Sequence, residues 1–298
     1  MKVENQILLV VNPISGRYDK SQLIQNVRDF LLEKELELKI YKTTGENDEV
    51  EIAQLIDEIR PERVLVAGGD GTIQLVATVL KNYDLILGII PAGSANGFAL
   101  NLDLPKTLAA QLEIALGENT FVIDTLELNG IACLHIADMG VNAELIRNYK
   151  KSNIKGKWGY FLQSFPTLFK SNYPYKFIIE AKDHIYVKKG ILLAIANANK
   201  FGTGANINPS GKLNDGKFEV LIFKRMSLIQ IIKTLFKNTK LDSDFAEVIS
   251  TEKAVITCNK PIAFQIDGEF IGKRKKIVAK IADLKLKIAV PKAFASVQ

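Results

Sequence analysis

The stretch that most constrains the fold of this chain is Arg63–Leu80, which reads RVLVAGGDGTIQLVATVL. It opens with a short, mostly apolar and β-branched run, which is typical of a buried parallel strand. A glycine-rich loop follows, and after the loop Ile73, Val76, Ala77 and Leu80 repeat at the spacing of a helix with one buried face. The pattern predicts a strand, a tight loop and a helix in direct succession.

The loop Gly68–Thr72 has the composition of a phosphate-binding loop. Its three glycines lack the Cβ atoms that would keep a bulky anion away from the backbone N–H groups. The N–H groups and the dipole at the start of a helix favour phosphate, and Asp70 is placed to hold a magnesium ion against that phosphate. The alternative is a tight turn that needs glycine only for its backbone angles, because short glycine motifs recur by chance.

Strand and helix patterns alternate through about the first 124 residues. This alternation predicts a mostly parallel, doubly wound sheet with helices on both faces, and such sheets bind ligands at the carboxyl ends of their strands. Four loops rich in small polar residues and glycine leave those ends: Asn12–Gly16, Thr43–Gly45, Gly68–Thr72 and Ala92–Gly97. Four such loops on one edge of a sheet predict a nucleotide site.

The pattern changes after about Asp124, where alternating strand runs separated by hairpin-turn residues predict an antiparallel sandwich or barrel. The predicted strands are Thr125–Leu128, Ala132–Ala137, Phe177–Ala181, Ile191–Ala196, Phe218–Phe223, Ala254–Thr257, Ile262–Ile266 and Leu284–Val290. Two amphipathic helices, Trp158–Lys170 and Ser227–Lys237, are predicted to interrupt them. We therefore expect a second, β-rich domain.

Composition excludes several classes of protein. No apolar run approaches the ~20 residues of a membrane-spanning helix, and the start lacks the layout of a signal peptide. Cys133 and Cys258 lie far apart without metal-ligand spacing, which favours a reducing cytoplasm. The net charge of +6 suits an anionic nucleotide or membrane surface, but it is too dispersed for a nucleic-acid binder. His135 and His184 each lie in a strand-like run, which argues against a catalytic role.

Several common catalytic motifs are missing from the sequence. Ser210–Leu213 imitates the end of a Walker A loop, but the upstream glycine spacing is wrong. The first strand is not followed by G-x-G-x-x-G, and neither G-x-S-x-G nor H-E-x-x-H occurs. These absences argue against a nicotinamide or flavin dehydrogenase and against the common hydrolases.

Five motifs follow one another along almost the full length of the chain. They are VNPISGR at Val11–Arg17, GGDGT at Gly68–Thr72, PAGSANGFA at Pro91–Ala99, INPSGKLNDGKFEV at Ile207–Val220 and QIDGE at Gln265–Glu269. In this order and spacing they resemble the diacylglycerol kinase catalytic-domain family of lipid kinases, to which bacterial soluble members and the sphingosine kinases belong.

The resemblance implies an α/β ATP-binding domain at residues 1–124 and a β-sandwich lipid-substrate domain at 125–283. A last strand, at about 284–298, is implied to return to the first domain. The residues implied to contact ATP are Asn12, Pro13, Ile14, Ser15, Gly16, Thr44, Gly68, Gly69, Asp70, Gly71, Thr72, Ile73, Ser94 and Asn96. Gly97 stands where the family usually has aspartate, which puts one polar contact of this loop in question.

The resemblance also implies the catalytic and metal-binding residues. Asp267 matches a general base and forms an acid pair with Glu269, while Asp70 would act with a catalytic Mg²⁺. A structural Mg²⁺ is implied at the NDG turn, held by the carboxylate of Asp215 and the carbonyl oxygens of Lys212 and Lys217. We expect burial in a partly apolar cleft to raise the pKa of Asp267, which would make it a better base.

The implied substrate is a lipid with a free hydroxyl. The PAGSAN loop resembles the sphingosine kinase form of this loop, so the acceptor is either diacylglycerol or a related lipid. An NAD kinase, which also uses GGDG, and a non-catalytic lipid or nucleotide sensor are the alternatives. A cytoplasmic enzyme of this type would contact the inner membrane face peripherally, with no nucleic-acid partner. Trp158–Lys170 could serve as a membrane anchor or as packed core, and Lys273–Lys276 is interpreted as a solvated turn. Oligomeric state stays open, with a homodimer among the alternatives.

Overall fold

The computed structural model describes residues 5–16, 19–94, 96–144, 174–201, 205–209, 211–225 and 242–295. The chain divides into two compact units, one of Met1–Ile123 with Leu284–Gln298 and the other of Asp124–Asp283. The predicted helices Trp158–Lys170 and Ser227–Lys237 lie outside the described residues. Within the described ranges, no helix is both long enough and apolar enough to cross a bilayer.

The first unit is built on a parallel sheet of four strands in the order β2-β1-β3-β4. Every second element is a helix, because apolar residues recur at helical spacing between the strands. The strands are β1 (Gln6–Val11), β2 (Glu37–Lys42), β3 (Arg63–Gly68) and β4 (Ile86–Pro91). The helices are α1 (Lys20–Leu32), α2 (Asp48–Ile59), α3 (Asp70–Leu80), α4 (Gly97–Asn101) and α5 (Leu108–Leu116). A short helix, α6 (Lys292–Ala295), ends the described chain.

The second unit consists of antiparallel strands around an apolar core. Its strands are β5 (Thr120–Leu128, which begins in the first unit), β6 (Ile131–Cys133), β7 (Ile136–Gly140), β8 (Tyr175–Ala181), β9 (His184–Gly190), β10 (Leu192–Ala196), β11 (Lys200–Phe201), β12 (Ala205–Asn206), β13 (Phe218–Phe223), β14 (Ala246–Thr251), β15 (Lys253–Ile266) and β16 (Glu269–Ala289). The expected fold class, a doubly wound α/β domain followed by an antiparallel β domain, is confirmed.

Strand β16 is 21 residues long and passes from the second unit into the first at Leu284. At its far end Ile288 pairs in parallel with Leu87 of β4. This pairing places the last strand beside the parallel sheet of the first unit.

Three local expectations were wrong. The two strands predicted between Ala254 and Ile266 are one strand, because the Asn-Lys-Pro segment is absorbed as an irregularity in register between Thr257 and Ile262. The basic run Lys273–Lys276 lies within β16 and is not a turn. Strand β14 was not predicted and β9 was indicated only by the strand-like run at His184, because polar residues interrupt the apolar alternation of both segments.

Candidate active site

Three loops of the first unit meet at the carboxyl ends of β1, β3 and β4. The side-chain amide of Asn12 donates a hydrogen bond to the hydroxyl oxygen of Thr72 at 3.3 Å. The hydroxyl of Ser15 donates to the carbonyl oxygen of Ala92, also at 3.3 Å. The loop after β1 is therefore joined both to the start of α3 and to the loop after β4.

Glycine allows these loops to approach one another backbone to backbone. A Cβ atom on Gly16, whose φ is +63°, would lie 2.3 Å from the carbonyl oxygen of Ala92. A Cβ atom on Gly93 would lie 2.4 Å from the Cα atom of Gly69. Helix α3 begins beside this contact at Asp70, and the first N–H groups of a helix have no partner within it. Closely packed backbone and the N–H groups at the start of a helix suit a phosphate.

Asp70 holds two of these loops together. One carboxylate oxygen accepts the N–H of Gly97 and the other accepts the N–H of Phe98, each at 2.9 Å. Asp70 thus caps the start of α4, and Gly97 contributes through its backbone. The side chain of Asn96 closes the same loop, because its amide accepts from the N–H of Gly93 and donates to the Gly93 carbonyl.

The remaining residues implied to contact ATP differ from one another in exposure and in hydrogen bonding. Ser94 and Pro13 are exposed, and the side chain of Ile14 is 89% exposed. Ile73 is fully buried in the core, so only its backbone is available at the loop. Thr44 follows the edge strand β2, where its N–H and hydroxyl both donate to Asp48.

Lys20, which sequence analysis did not single out, is buried beside the loops. Its Nζ atom donates a hydrogen bond to the carbonyl oxygen of Ala92 at 2.9 Å, and burial lowers the pKa of its amine. The signal in the sequence was a lysine on the apolar face of α1, in line with Leu23, Val27 and Leu31. Its amine therefore lies against the loop that follows β4.

Asp267 lies in the second unit, in the tight turn between β15 and β16. Asp267 and Gly268 have φ values of +46° and +87°, as expected for a two-residue hairpin turn. The Asp267 residue is only 3% exposed, and its carboxylate accepts backbone N–H groups from Leu134, His135 and Ile136. Leu134 and His135 lie between β6 and β7, and Ile136 is the first residue of β7. The strand predicted at Ala132–Ala137 is therefore broken, because its backbone turns toward the carboxylate.

The side chain of His135 also faces Asp267. Its Nδ1 atom lies 2.8 Å from Oδ1 of Asp267, and both side chains are almost fully buried. Burial raises the pKa of Asp267, but the charge and hydrogen bond of His135 and the backbone N–H groups outweigh it, so the pKa is lowered. The expectation of a raised pKa was therefore wrong. His135 itself lies in a bend and not within a strand.

A buried polar chain supports the same turn. The side-chain oxygen of Gln265 accepts the N–H of Gly268 at 2.7 Å, and its amide donates to Oδ2 of Asp138. Asn142 donates to that oxygen as well, at 2.6 Å. Asp138 is 1% exposed, and burial raises its pKa to about 7. By contrast Glu269, implied as the partner of Asp267, is exposed at the start of β16.

The NDG turn lies before β13 and presents oxygen atoms. Asp215 is exposed, and its Oδ1 atom accepts the N–H of Lys217 at 3.1 Å. The buried carboxylate of Asp124 accepts the N–H of Gly216 at 2.7 Å, and this hydrogen bond fixes the turn to the start of the second unit. The donor set of carboxylate and carbonyl oxygens fits the preference of Mg²⁺. In the described ranges, no group of three acidic, histidine or cysteine side chains could hold a metal ion.

Two family models match the chain in succession. The model described as the diacylglycerol kinase catalytic domain matches residues 6–128. The model described as the YegS C-terminal NAD kinase beta sandwich-like domain matches residues 136–290, which is more than half of the chain. Together they span both units.

Several relatives with similar sequences carry lipid kinase names. The probable lipid kinase YegS of Escherichia coli O127:H6 is 26% identical over 274 residues, which are 88% of this chain and 88% of the relative. The probable lipid kinase YegS-like protein of Klebsiella pneumoniae (strain 342) is 24% identical over 267 residues, with the same coverage of both chains.

Solved structures share the fold. A putative diacylglycerol kinase from Bacillus anthracis str. Sterne has a TM-score of 0.79 at 20% identity, covering 98% of this chain and 99% of that one. An NAD kinase from Archaeoglobus fulgidus in complex with ATP has a TM-score of 0.55 at 12% identity, covering 97% and 96%. The matched models, the relatives and the site motifs agree, and the chain belongs to the diacylglycerol kinase catalytic-domain family of lipid kinases.

Proposed function

We propose that this protein is an ATP-dependent lipid kinase that transfers the γ-phosphate of ATP to the free hydroxyl of a lipid, with Asp267 as general base. The observation that carries the proposal is the meeting of three glycine loops at the carboxyl ends of parallel strands, in a chain of this family. The relatives named probable lipid kinases support the class of acceptor.

ATP would be held by the first unit and would supply the phosphoryl group. The backbone of Gly68–Ile73 and the loop Asn12–Gly16 would bind its phosphates, with Ser94, Asn96 and Thr44 at the margins. Among the described residues, each oxygen of Asp70 accepts a single N–H, which would leave lone pairs for a Mg²⁺ ion on the phosphates. Lys20 would add positive charge beside the loops, and charge neutralisation is the main requirement of phosphoryl transfer.

Asp267 would remove the proton of the lipid hydroxyl. Its lowered pKa keeps the carboxylate ionised at neutral pH, so the group is ready to accept a proton whenever substrate binds. The three backbone N–H groups and His135 fix its orientation. Glu269, two residues further along an exposed strand start, would act at the margin of this site.

A second Mg²⁺ at the NDG turn would be structural, held by Asp215, Lys212 and Lys217. We expect a chelator to lower the melting temperature of the wild type by several °C, because a bound ion stabilises the folded state. Asp215→Asn should melt at the chelated wild-type temperature and should not respond to chelator. Asp183→Asn, in another exposed hairpin turn, serves as the control that keeps the full response. An equal chelator response in Asp215→Asn would contradict the site.

The acceptor class is testable in one experiment. Purified protein with γ-labelled ATP and Mg²⁺ would be given detergent-dispersed diacylglycerol, phosphatidylglycerol, a sphingoid base and NAD, each alone and then mixed. We expect label in an organic-extractable product. The second candidate is an NAD kinase, which the structural similarity to an ATP-bound NAD kinase favours, and label in NAD would establish it instead. Bound ATP without any labelled acceptor would favour a sensor.

Contact with a membrane surface follows from a lipid acceptor. Exposed lysines, including Lys273, Lys275 and Lys276 on β16, offer positive charge for anionic lipids at the inner face of a membrane. We expect co-sedimentation with vesicles to rise with their anionic fraction and to fall with salt. Equal binding to neutral and anionic vesicles would contradict this part of the proposal.

A further inference from the structure

The two oxygens of Asp267 are occupied very differently. Oδ1 accepts the N–H groups of His135 and Ile136 and lies 2.8 Å from Nδ1 of His135 and 3.5 Å from the sulfur of Cys133. In the part of the chain that the structure describes, Oδ2 accepts only the N–H of Leu134, at 2.7 Å. A carboxylate oxygen has two lone pairs, so Oδ1 is saturated and Oδ2 retains room for a proton.

We propose that His135 is a positioning residue for Asp267, so that imidazole and carboxylate gain and lose protons as one pair, with Oδ2 as the atom that receives the proton of the acceptor. This inference rests on the proposed function and deepens it. His135 lies 132 residues from Asp267 in sequence, in the bend between β6 and β7, and this inference gives it a role in the proposed reaction.

The proposed transfer step breaks two bonds and forms two. The acceptor O–H bond breaks and its proton passes to Oδ2 of Asp267, while the acceptor oxygen forms a bond to the γ-phosphorus. The bond between the γ-phosphorus and the bridging oxygen breaks, and ADP leaves with its electron pair. The pair of Asp267 and His135 then holds one more proton, which passes to solvent after the products leave.

His135 controls this step through its charge. While the imidazole is protonated it lowers the proton affinity of the nearby carboxylate, and the pair is a weak base. When His135 loses its proton the pair becomes a stronger base, so the rate should rise through an acid limb that belongs to the pair. The coupling is reciprocal, and the Asp267 carboxylate must favour the protonated form of His135 to the same extent.

Two other titratable groups adjoin this pair among the described residues. The thiol of Cys133 on β6 stays neutral, because burial, together with the charge of Asp267, raises its pKa well above the usual range. Asp138 on β7 reaches the turn through Gln265 and Gly268, and its pKa of about 7 makes it the competing source of an acid limb. Asp138→Asn is therefore the necessary control.

The first test does not depend on kinase activity. The chain has two histidines, so the imidazole signals of His135 and His184 can be followed by NMR through a pH titration, with exposed His184 as internal reference. In Asp267→Asn, the titration midpoint of His135 should move to lower pH, because the neighbouring negative charge is gone. An unmoved His135 midpoint in a folded variant would overturn the proposal.

The second test is the pH dependence of kcat/KM in wild type, His135→Asn and Asp138→Asn. The acid limb should leave the neutral range in His135→Asn, where nothing titrates at this position, and should stay in Asp138→Asn. A limb that stays in His135→Asn, or that disappears only in Asp138→Asn, would overturn the inference. If the wild type phosphorylates no acceptor, the proposed function fails, while the NMR titration still decides whether the pair exists.

Discussion

Asp70 and Asp267 are each the first residue of an Asp-Gly pair that follows a buried strand. Asp267 comes directly after β15, and one residue separates Asp70 from the end of β3. The two carboxylates nevertheless have opposite surroundings. Asp70 begins helix α3, is partly exposed and accepts one N–H on each oxygen. Asp267 forms a hairpin turn, is buried and receives three backbone N–H groups and an imidazole. The first arrangement leaves lone pairs for a ligand, whereas the second holds one proton-accepting group rigidly.

The glycines near the two carboxylates have different roles as well. Gly268 has a φ of +87°, a conformation that the turn requires and that other residues rarely adopt. The glycines around Asp70 act through the absence of a side chain, since Gly69 and Gly93 touch backbone to backbone. In the proposed mechanism, Asp70-Gly71 would serve nucleotide binding in one unit and Asp267-Gly268 would serve proton transfer in the other.

The largest expected effect comes from Asp267→Asn, which removes the base. We expect kcat to fall ~10²–10⁴-fold, the usual contribution of a general base. The amide also turns an NH₂ group toward backbone donors, so the free energy of unfolding should fall by about 1–3 kcal/mol. Rates in the lipid assay and a denaturant titration measure the two effects.

Asp183→Asn is the matched control for that variant, since Asp183 lies in an exposed hairpin turn with a φ of +59°. It should retain both rate and stability. Normal turnover by Asp267→Asn would contradict the assignment of the base.

A smaller effect is expected from Gly93→Ala in the nucleotide loops. The new methyl group would lie 2.4 Å from the Cα atom of Gly69, so the two loops must separate. We expect ATP affinity to fall roughly tenfold or more, which corresponds to about 1.4 kcal/mol, measured by calorimetry. Gly130→Asn, at an open turn position with a φ of +84°, should bind ATP like the wild type. Unchanged affinity in Gly93→Ala would show that the close packing is not needed for the nucleotide.

The smallest expected effect concerns the buried chain behind the Asp267 turn. Asp138 has a pKa of about 7 in the folded protein, above the ~3.9 of an unfolded chain. Between these values only the folded state binds the proton, so its stabilisation is lost as pH rises toward 7. Asp138→Asn should remove this dependence, and its melting temperature should exceed that of the wild type above pH 7 by a few °C. If the melting temperatures of the wild type and Asp138→Asn depended on pH in the same way, this explanation would be contradicted.

Sequence patterns were sufficient for the architecture and for the position of the glycine loops at the carboxyl ends of β1, β3 and β4. Strand β3, the glycine loop and α3 were predictable because apolar periodicity and glycine act locally along the chain. The turn at Asp267 was predictable for the same reason, since an Asp-Gly pair between apolar runs is a strong hairpin signal.

The surroundings of Asp267 were not predictable from local patterns. His135 contacts it across 132 residues of sequence, and the bend that brings the N–H groups of 134–136 to the carboxylate leaves no local signature. The direction of the pKa shift depends on these partners and not on burial alone, which is why the expected direction was wrong. Asp70 gave a similar lesson, because its contacts with Gly97 and Phe98 join loops that are distant in sequence.

We propose that Asp70 serves ATP binding and that Asp267 serves proton transfer. The most direct test of these separate roles is the ATP affinity of two variants measured side by side. We expect Asp267→Asn to bind ATP and Mg²⁺ as the wild type does, although it no longer transfers phosphate. Asp70→Asn should bind ATP about tenfold or more weakly, since it loses the charge that would hold Mg²⁺ and one of the acceptors that anchor α4. Wild-type ATP affinity in Asp70→Asn, or lost affinity in a folded Asp267→Asn, would contradict the separate roles proposed for the two carboxylates.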